Sequence, residues 1–468
     1  MSNGAQPRRI AWEVLMAVDT RAAYANLMLP ALLRQHGCHG RDAAFATDLT
    51  YTTLRWRGLV DAVLESASSR TIDEIDVTTR NILRIAGASW LVGRTAAHAA
   101  VSTAVDLAGE IGADKRGRGF VNAVLRRVTE HSCEGWQQRL GVDATDSASL
   151  AVKYSHPRWM VDAISEALVM SGRDPSDIEQ VLAADNDAVA PTLVARPGLC
   201  EVQELLTVDA NTPGRWADTA VYTTGGDPGR IDAVAQHRAG VQDEGSQLVA
   251  LIAAGVHVDG SDTAWLDACA GPGGKAALLG ALAAGRGAHV TAVEHQQHRA
   301  QLIALTVAEL TSVEVVHADA TALSEQPWYR DAMFDRVLVD VPCSGLGALR
   351  RRPDLRWQRG PRDVADLAGT QESLLVAAFR AVRPGGVVTY ATCSPHTAET
   401  IVVTARAVRS AQTYGIQLEQ VNLSAELTNI DHIDGAALVA TLHGRPQVQL
   451  WPDVHGTDAM FVSVWRRL

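Results

Sequence analysis

The chain has 468 residues, 47% of them apolar and 20% charged, with a formal net charge of −11. That length exceeds what one compact core holds and implies two or three domains. No apolar run reaches the roughly 18 residues of a membrane span, and the start of the chain lacks the apolar stretch of a secretory signal, so a cytoplasmic protein without a membrane partner is expected.

Residues 1–140 read as helix throughout. Ile10, Val14, Leu15 and Val18 form one apolar stripe, Ile82, Leu83, Ile85 and Ala86 a second, and Val121, Val124 and Leu125 part of another. Thr71 and Glu74 have capping-box spacing. This part carries 17 basic against 14 acidic residues, whereas the remainder is strongly acidic. Residues 141–237 mix a helix opening at Asp174-Pro175-Ser176 with short strand candidates such as Pro191–Ala195, and are expected to form a small α+β module. From residue 238 to 468 short β-branched runs alternate with helical segments: Ala264–Ala268, His289–Glu294, Val313–Ala318, Arg336–Val341 and Gly386–Ala391. Such alternation predicts an α/β domain with a mostly parallel sheet covered by helices on both faces.

The first of these strands runs into Asp267-Ala-Cys269-Ala270-Gly271-Pro272-Gly273-Gly274-Lys275, and a helix follows at once. Glycines at a strand-to-helix turn let the backbone approach a ligand and leave free helix N–H groups facing it. Glu294, Asp319 and Asp340 sit at the ends of the next three strands, where ligands of open sheets bind. Neither the dinucleotide nor the phosphate-loop spacing is met, so a nucleoside without a polyphosphate fits better, with S-adenosylmethionine the candidate cofactor.

Six cysteines, with no C-x-x-C pair, argue against a disulfide framework or zinc site, and no metal is expected. Cys38, Cys133 and Cys200 read as small buried hydrophobes. Cys343 and Cys393 differ, because each follows a strand end and precedes a serine in a polar turn. Carbon 5 of a cytosine is a poor nucleophile, but a thiolate added at carbon 6 makes it an enamine that attacks a methyl sulfonium. A carboxylic acid beside the base, Asp340, could supply or share a proton at N3. Between Cys343 and Arg362 six arginines accompany one aspartate, which suits either phosphate contacts or a solvated loop.

Val241-Gln-Asp-Glu-Gly-Ser-Gln247, DACAGPGGK (267–275), Glu294, HADA (317–320), DVPCSGLG (340–347), RRPDLRW (351–357) and YATCSP (390–395) resemble the RNA cytosine-C5 methyltransferases. The N-terminal part, with RDAAFATDLTYTTLRW (41–56) and GFVNAVLRRV (119–128), looks like the NusB-type domain of the RsmB/Sun (Fmu) branch. The resemblance implies an RNA-binding helical bundle, an RRM-like small module and a Rossmann-type class I methyltransferase domain. It implies 16S ribosomal RNA, naked or in a partly assembled small subunit, as partner, and a monomer is expected. Cys393 would be the nucleophile, Cys343 would assist release, and Asp340 and Lys275 would complete the catalytic set. The cofactor would meet Cys269 through Lys275, Glu294, Asp319 and Asp340, and Arg350, Arg351, Arg352 and Arg356 would contact RNA. Three departures stand out: Val341 and Gly245 where the family usually has alanine, and Asp458-Ala459-Met460-Phe461 for Asp-Gly-Phe-Phe. A non-catalytic RNA-binding factor with a degenerate methyltransferase domain is the competing reading. A thiol protease using Cys393 with His295 or His396 lacks that class's local signature.

Overall fold

The computed structural model describes residues 5–142, 144–208 and 210–468; the first four residues of the expected helical domain lie outside the described residues. Contacts gather the chain into two compact units. The first contains residues 1–162, 178–187 and 349–359, and the second the remainder.

The first unit is helical. Ala5–Arg21 buries Ile10, Val14, Leu15 and Val18, and Val77–Leu91 buries Ile82, Leu83, Ile85 and Ala86, as the stripes predict. Lys115–Val128 turns Val121, Val124, Leu125 and Val128 inward and leaves Lys115, Arg116, Arg118, Arg126 and Arg127 exposed. Beside these apolar clusters sits a buried ion network: the Arg84 guanidinium forks onto both Asp61 oxygens at 2.7 Å and donates to Asp19, also at 2.7 Å. Such bidentate pairing compensates the desolvation of both charges. Thr71 and Glu74 cap a short 3₁₀ turn, Ile72–Glu74, with the Glu74 carboxylate accepting from the Thr71 amide.

Residues 349–359 belong to this unit and correct the arginine reading. Arg356 is fully buried. Its guanidinium donates to the carbonyls of Arg55, Ser155 and Asp185 and to the Asn186 side-chain oxygen, at 2.8 to 3.1 Å. Burial pushes it down to about 9. Arg350 is also buried, and its carbonyl accepts from Arg55 at 3.1 Å. These two arginines therefore do not present their charges to a phosphate. A charge count cannot separate a solvated cation from one sequestered by carbonyl oxygens. Arg352, half-buried, lies over the Tyr24 ring at 4.7 Å, and only Arg351 of the four is exposed.

The second unit holds two sheets. Thr192–Ala195 (β1), Thr212–Pro213 (β2), Ala220–Tyr222 (β3) and Ala239–Val241 (β4) form a small antiparallel sheet in the order β2-β3-β1-β4. The large sheet comprises Ala264–Asp267 (β5), His289–Glu294 (β6), Val313–His317 (β7), Phe334–Asp340 (β8), Val382–Thr392 (β9), Leu418–Gln420 (β10), Val448–Gln449 (β11) and Phe461–Arg467 (β12). Its order is β10-β12-β9-β8-β5-β6-β7, with β11 on β12. β5 through β9 are parallel; β12 runs antiparallel to β9, and β10 and β11 each pair antiparallel with β12, so that the three extend the sheet beyond the predicted strands.

Alternate residues of the central strands point to opposite faces, as the two-residue period requires. Trp265, Leu338, Val387 and Ala391 join the core beneath helices Glu244–Gly255 and Gly274–Arg286. Leu266, Val337, Val339, Val388 and Tyr390 join the other, beneath Pro361–Ala381 and Ile401–Gln412. The chain moves outward from β5 through β6 to β7, then returns to place β8 on the other side of β5. That reversal opens a crevice beyond the carboxyl ends of β5 and β8. Among the described residues no helix is long and apolar enough to cross a membrane.

Replacing Arg356 with alanine is expected to destabilise the first unit by about 3 kcal/mol, because it strands four buried oxygen acceptors. Thermal unfolding followed by circular dichroism measures it; an unchanged midpoint would show that those oxygens find other donors.

Candidate functional site

Asp267 closes β5 and is 1% exposed. Burial, then Asp340, push its carboxyl up to about 7 against the opposing effect of Lys275. One of its oxygens accepts a long bond of 3.4 Å from the Cys269 amide, and the other is buried without a hydrogen-bond partner. A buried acceptor in that condition is suited to a donor brought by a ligand. In the sequence Asp267 belongs to the loop motif, yet it ends its strand as Glu294 and Asp340 end theirs, and that parallel is the signal that finds it.

The loop after β5 turns tightly. Gly273, at φ +115°, is the residue from which helix Gly274–Arg286 departs, and only glycine adopts that backbone readily. A Cβ on Gly271 would fall on the Glu294 carboxylate and the Arg299 guanidinium. The loop backbone and the β6 acid thus approach as closely as chemistry allows. Glu294 is buried; it accepts from the Gln296 amide at 2.9 Å, with His295 at 3.0 Å and Arg299 at 3.5 Å. Ala270, buried, donates its amide to the Val293 carbonyl at 2.9 Å, while Pro272 is exposed and Cys269 and Gly274 half-buried. Asp319, two residues beyond β7, is exposed and caps the turn Ala320–Glu325 through the Thr321 amide and hydroxyl.

Asp340 closes β8, and the Lys275 ammonium donates to it at 2.7 Å. Burial pulls Lys275 down, but Asp340, with a lesser contribution from Cys393, holds it above its ordinary value. Parallel pairing sets Asp340 opposite Ala391, so the turns after β8 and β9 leave the sheet side by side. The result is a contact between Cys343 and Cys393 with their sulfurs 3.2 Å apart. The hydrogen bond to Cys393, then burial, keeps the Cys343 thiol well above its ordinary value. The Gly347 amide donates to the Cys393 carbonyl at 2.9 Å, tying the two turns together again.

The structure brings Lys275, Asp340, Cys343 and Cys393 into one cluster and sets Glu294 against the glycine loop. A buried acceptor without a partner, a backbone cradle that a methyl group would fill and two strand-end acids fit a cationic nucleoside such as S-adenosylmethionine. That group supplies a methyl made electrophilic by its positively charged sulfur. Glu399, Gln371, Ser344 and Ser394, all fully or almost fully buried behind the thiols, were not singled out in the sequence.

Residues 257–466 match the family model described as 16S rRNA methyltransferase RsmB/F, and residues 5–130 match the NusB family. A Mycobacterium tuberculosis protein whose name gives only the class methyltransferase is 47% identical over 98% of this chain and 96% of its own length. The ribosomal RNA small subunit methyltransferase B of Xylella fastidiosa is 30% identical over 85% of this chain and 87% of its own. The crystal structure of PH0851 superposes with a TM-score of 0.76 at 19% identity, covering 100% of this chain and 99% of that one, which establishes the shared fold. With the glycine cradle and strand-end acids in place, these likenesses make the chain a member of the RsmB/F family of S-adenosylmethionine-dependent methyltransferases, with a NusB-family domain at its N-terminal side.

Proposed function

We propose that this protein methylates carbon 5 of a cytosine in 16S ribosomal RNA through a transient bond between Cys393 and carbon 6 of the base. The observation that carries the reading is the thiol pair: two sulfurs 3.2 Å apart at the rim of the crevice, with the Lys275–Asp340 pair, 2.7 Å across, in the same cluster. The family's name and the Xylella relative support ribosomal RNA as the substrate. So do the exposed cations of helix Lys115–Val128 in the NusB-family part, since exposed arginine and lysine neutralise phosphates.

In this reading the Cys393 thiolate adds to carbon 6, and the electron pair displaced from the double bond makes carbon 5 nucleophilic. Cytosine N3 accepts hydrogen bonds and its exocyclic amine donates them. A carboxylate already paired with an ammonium suits the amine, and the ammonium of Lys275 is then the proton-bearing group toward N3. This refines the expectation that Asp340 alone serves N3. After methylation the carbon-5 proton passes to the Cys343 sulfur while the Cys343 proton passes to Cys393. The bond from Cys393 to carbon 6 breaks and the ring double bond returns. A protonated Cys343 touching Cys393 is what that relay requires. A factor with a degenerate methyltransferase domain would have no need of this assembled cluster. Of the four arginines expected to contact RNA, Arg351 is the exposed one, and Arg362 beyond them is exposed as well.

Cys393→Ala is expected to lower methyl transfer to 16S ribosomal RNA by at least about a thousandfold while cofactor binding, read by calorimetry, stays unchanged. Cys343→Ala is expected to trap a covalent RNA adduct that survives denaturing electrophoresis. A fully active Cys393→Ala protein would remove the thiol from the reaction.

Asp267 gives the site a pH dependence. Its carboxyl, raised to about 7, is protonated below that pH and must lose its proton to face a cationic ligand, so binding tightens as pH rises. Cofactor affinity is expected to increase by up to about tenfold per unit below pH 7 and to level off above it. Asp267→Asn should flatten this slope in calorimetry between pH 5.5 and 8.5; a slope retained in that variant would assign it to another group.

A further inference from the structure

Behind the thiol pair lies a buried carboxylate that the chemistry above does not use. Glu399, 0% exposed, sits in the turn that follows β9. One oxygen accepts from the Ser344 amide at 2.8 Å and from the Gln371 side chain at 3.2 Å, and the other accepts from the Ser344 hydroxyl at 2.5 Å. Gln371 also donates to the Pro342 carbonyl at 2.9 Å, so the residues on both sides of Cys343 are held. The Ser344 hydroxyl lies 3.2 Å from that of Ser394, the residue after Cys393. The Tyr390 hydroxyl, donating to the Glu399 carbonyl at 2.6 Å, fixes the turn that carries the carboxylate.

We infer that Glu399 is the positioning residue of the thiol pair: it locks the serine after Cys343 and, through that serine, the serine after Cys393, so that the two sulfurs meet. The inference rests on the thiol reading above for its catalytic meaning, but the spacing it explains belongs to the protein alone. An ionic acceptor is chosen over a neutral one for a physical reason. Burying a carboxylate is costly unless its oxygens are filled, and here an amide, a hydroxyl and a carboxamide fill them. The arrangement is therefore stable only while Ser344 and Gln371 stay in place, which makes the cysteine turns rigid. Glu399 also adds, after the Cys393 hydrogen bond and burial, to what raises the Cys343 thiol. Glu399 touches neither sulfur through any hydrogen bond in the structure, and it acts through Ser344.

Thiol spacing can be read without RNA. Diamide takes two electrons and two protons from a pair of adjacent thiols, leaving a disulfide and the reduced hydrazine. In the full-length protein the Cys343–Cys393 disulfide is expected to form readily, quantified by peptide mass spectrometry. Glu399→Ala is expected to slow it by about tenfold or more, because small misplacements of paired groups have large effects on rate. Glu399→Gln and Ser344→Ala, which each keep part of the network, should fall between. The same variants should lower kcat for methyl transfer while leaving the KM for S-adenosylmethionine unchanged. Should Glu399→Ala fail to fold, Glu399→Gln and Ser344→Ala carry the comparison. Variants that melt and bind cofactor like the wild type but oxidise as fast would overturn the inference, and so would a wild-type pair that resists diamide. An active Cys393→Ala protein would instead sink the thiol reading and leave the oxidation measurement standing.

Discussion

The site depends on one parallel pairing, that of β8 with β9. Hydrogen bonding between these strands puts Asp340 opposite Ala391, and every later feature inherits that register. The turn after β8 carries Cys343 and the turn after β9 carries Cys393, so two thiols 50 residues apart in the chain become neighbours. A slip of one residue would turn alternate side chains to the opposite face and move the acid from the rim into a core. The apolar runs prevent it: Val337, Val339, Val388 and Tyr390 belong to one core, Leu338, Val387 and Ala391 to the other, and both are packed. The chemistry is thus held in place by the apolar side chains of two strands rather than by contacts within the site.

On that frame the protein concentrates charge where it would otherwise avoid it. Asp267, Glu294 and Asp340 all end strands of one crevice, and the first is raised to about 7 because burial and its neighbour oppose ionisation. Lys275 answers that negative potential from the first turn of its helix and bonds the most accessible of the three acids. The energetic tension resembles that of a site awaiting a cation, since acids left in mutual repulsion gain when positive charge arrives. Behind the thiols the opposite solution holds: Glu399 has its oxygens filled by the protein. An underfilled carboxylate in front and a filled one behind divide the labour between binding and rigidity.

Much of this was legible in the sequence, and the parts that were not share a cause. Short β-branched runs between helical segments located β5 through β9, and periodicity located the stripes of Ala5–Arg21 and Val77–Leu91, because it reports which face is buried. The glycine loop and the strand-end acids were legible because special backbone and charge at strand ends have few other uses. β10, β11 and β12 went unread: two are only two or three residues long, and the third pairs with β9 across nearly 70 residues of chain. Glu399 was invisible because a buried carboxylate in a polar turn looks like a solvated one until its donors are known. Arg350 and Arg356 were misread for the mirror reason. Six cations in twenty residues suggest an exposed patch, yet Arg356 is a structural donor to backbone carbonyls.

Two of the three departures from the family pattern meet in the structure. Gly245 and the Asp458–Phe461 segment are far apart in the chain, but a Cβ on Gly245 would lie 3.2 Å from the Asp458 carbonyl oxygen, 3.1 Å from Leu450 and 3.0 Å from Asp243. The alanine usual at that position would be tight against all three. Asp243 holds both pieces, accepting at 3.0 Å from the Gly245 amide and at 3.0 Å from the Asp458 amide. The segment then continues into the site, where the Ala459 amide donates to the Gly347 carbonyl at 2.8 Å and Gly347 in turn donates to Cys393. The 458–461 segment thus packs against the Gly245 helix start and ends on the backbone beside the nucleophile proposed here. The Gly245 helix start is therefore linked, through Asp243 and the backbone of 458–459, to the turn that carries Cys393.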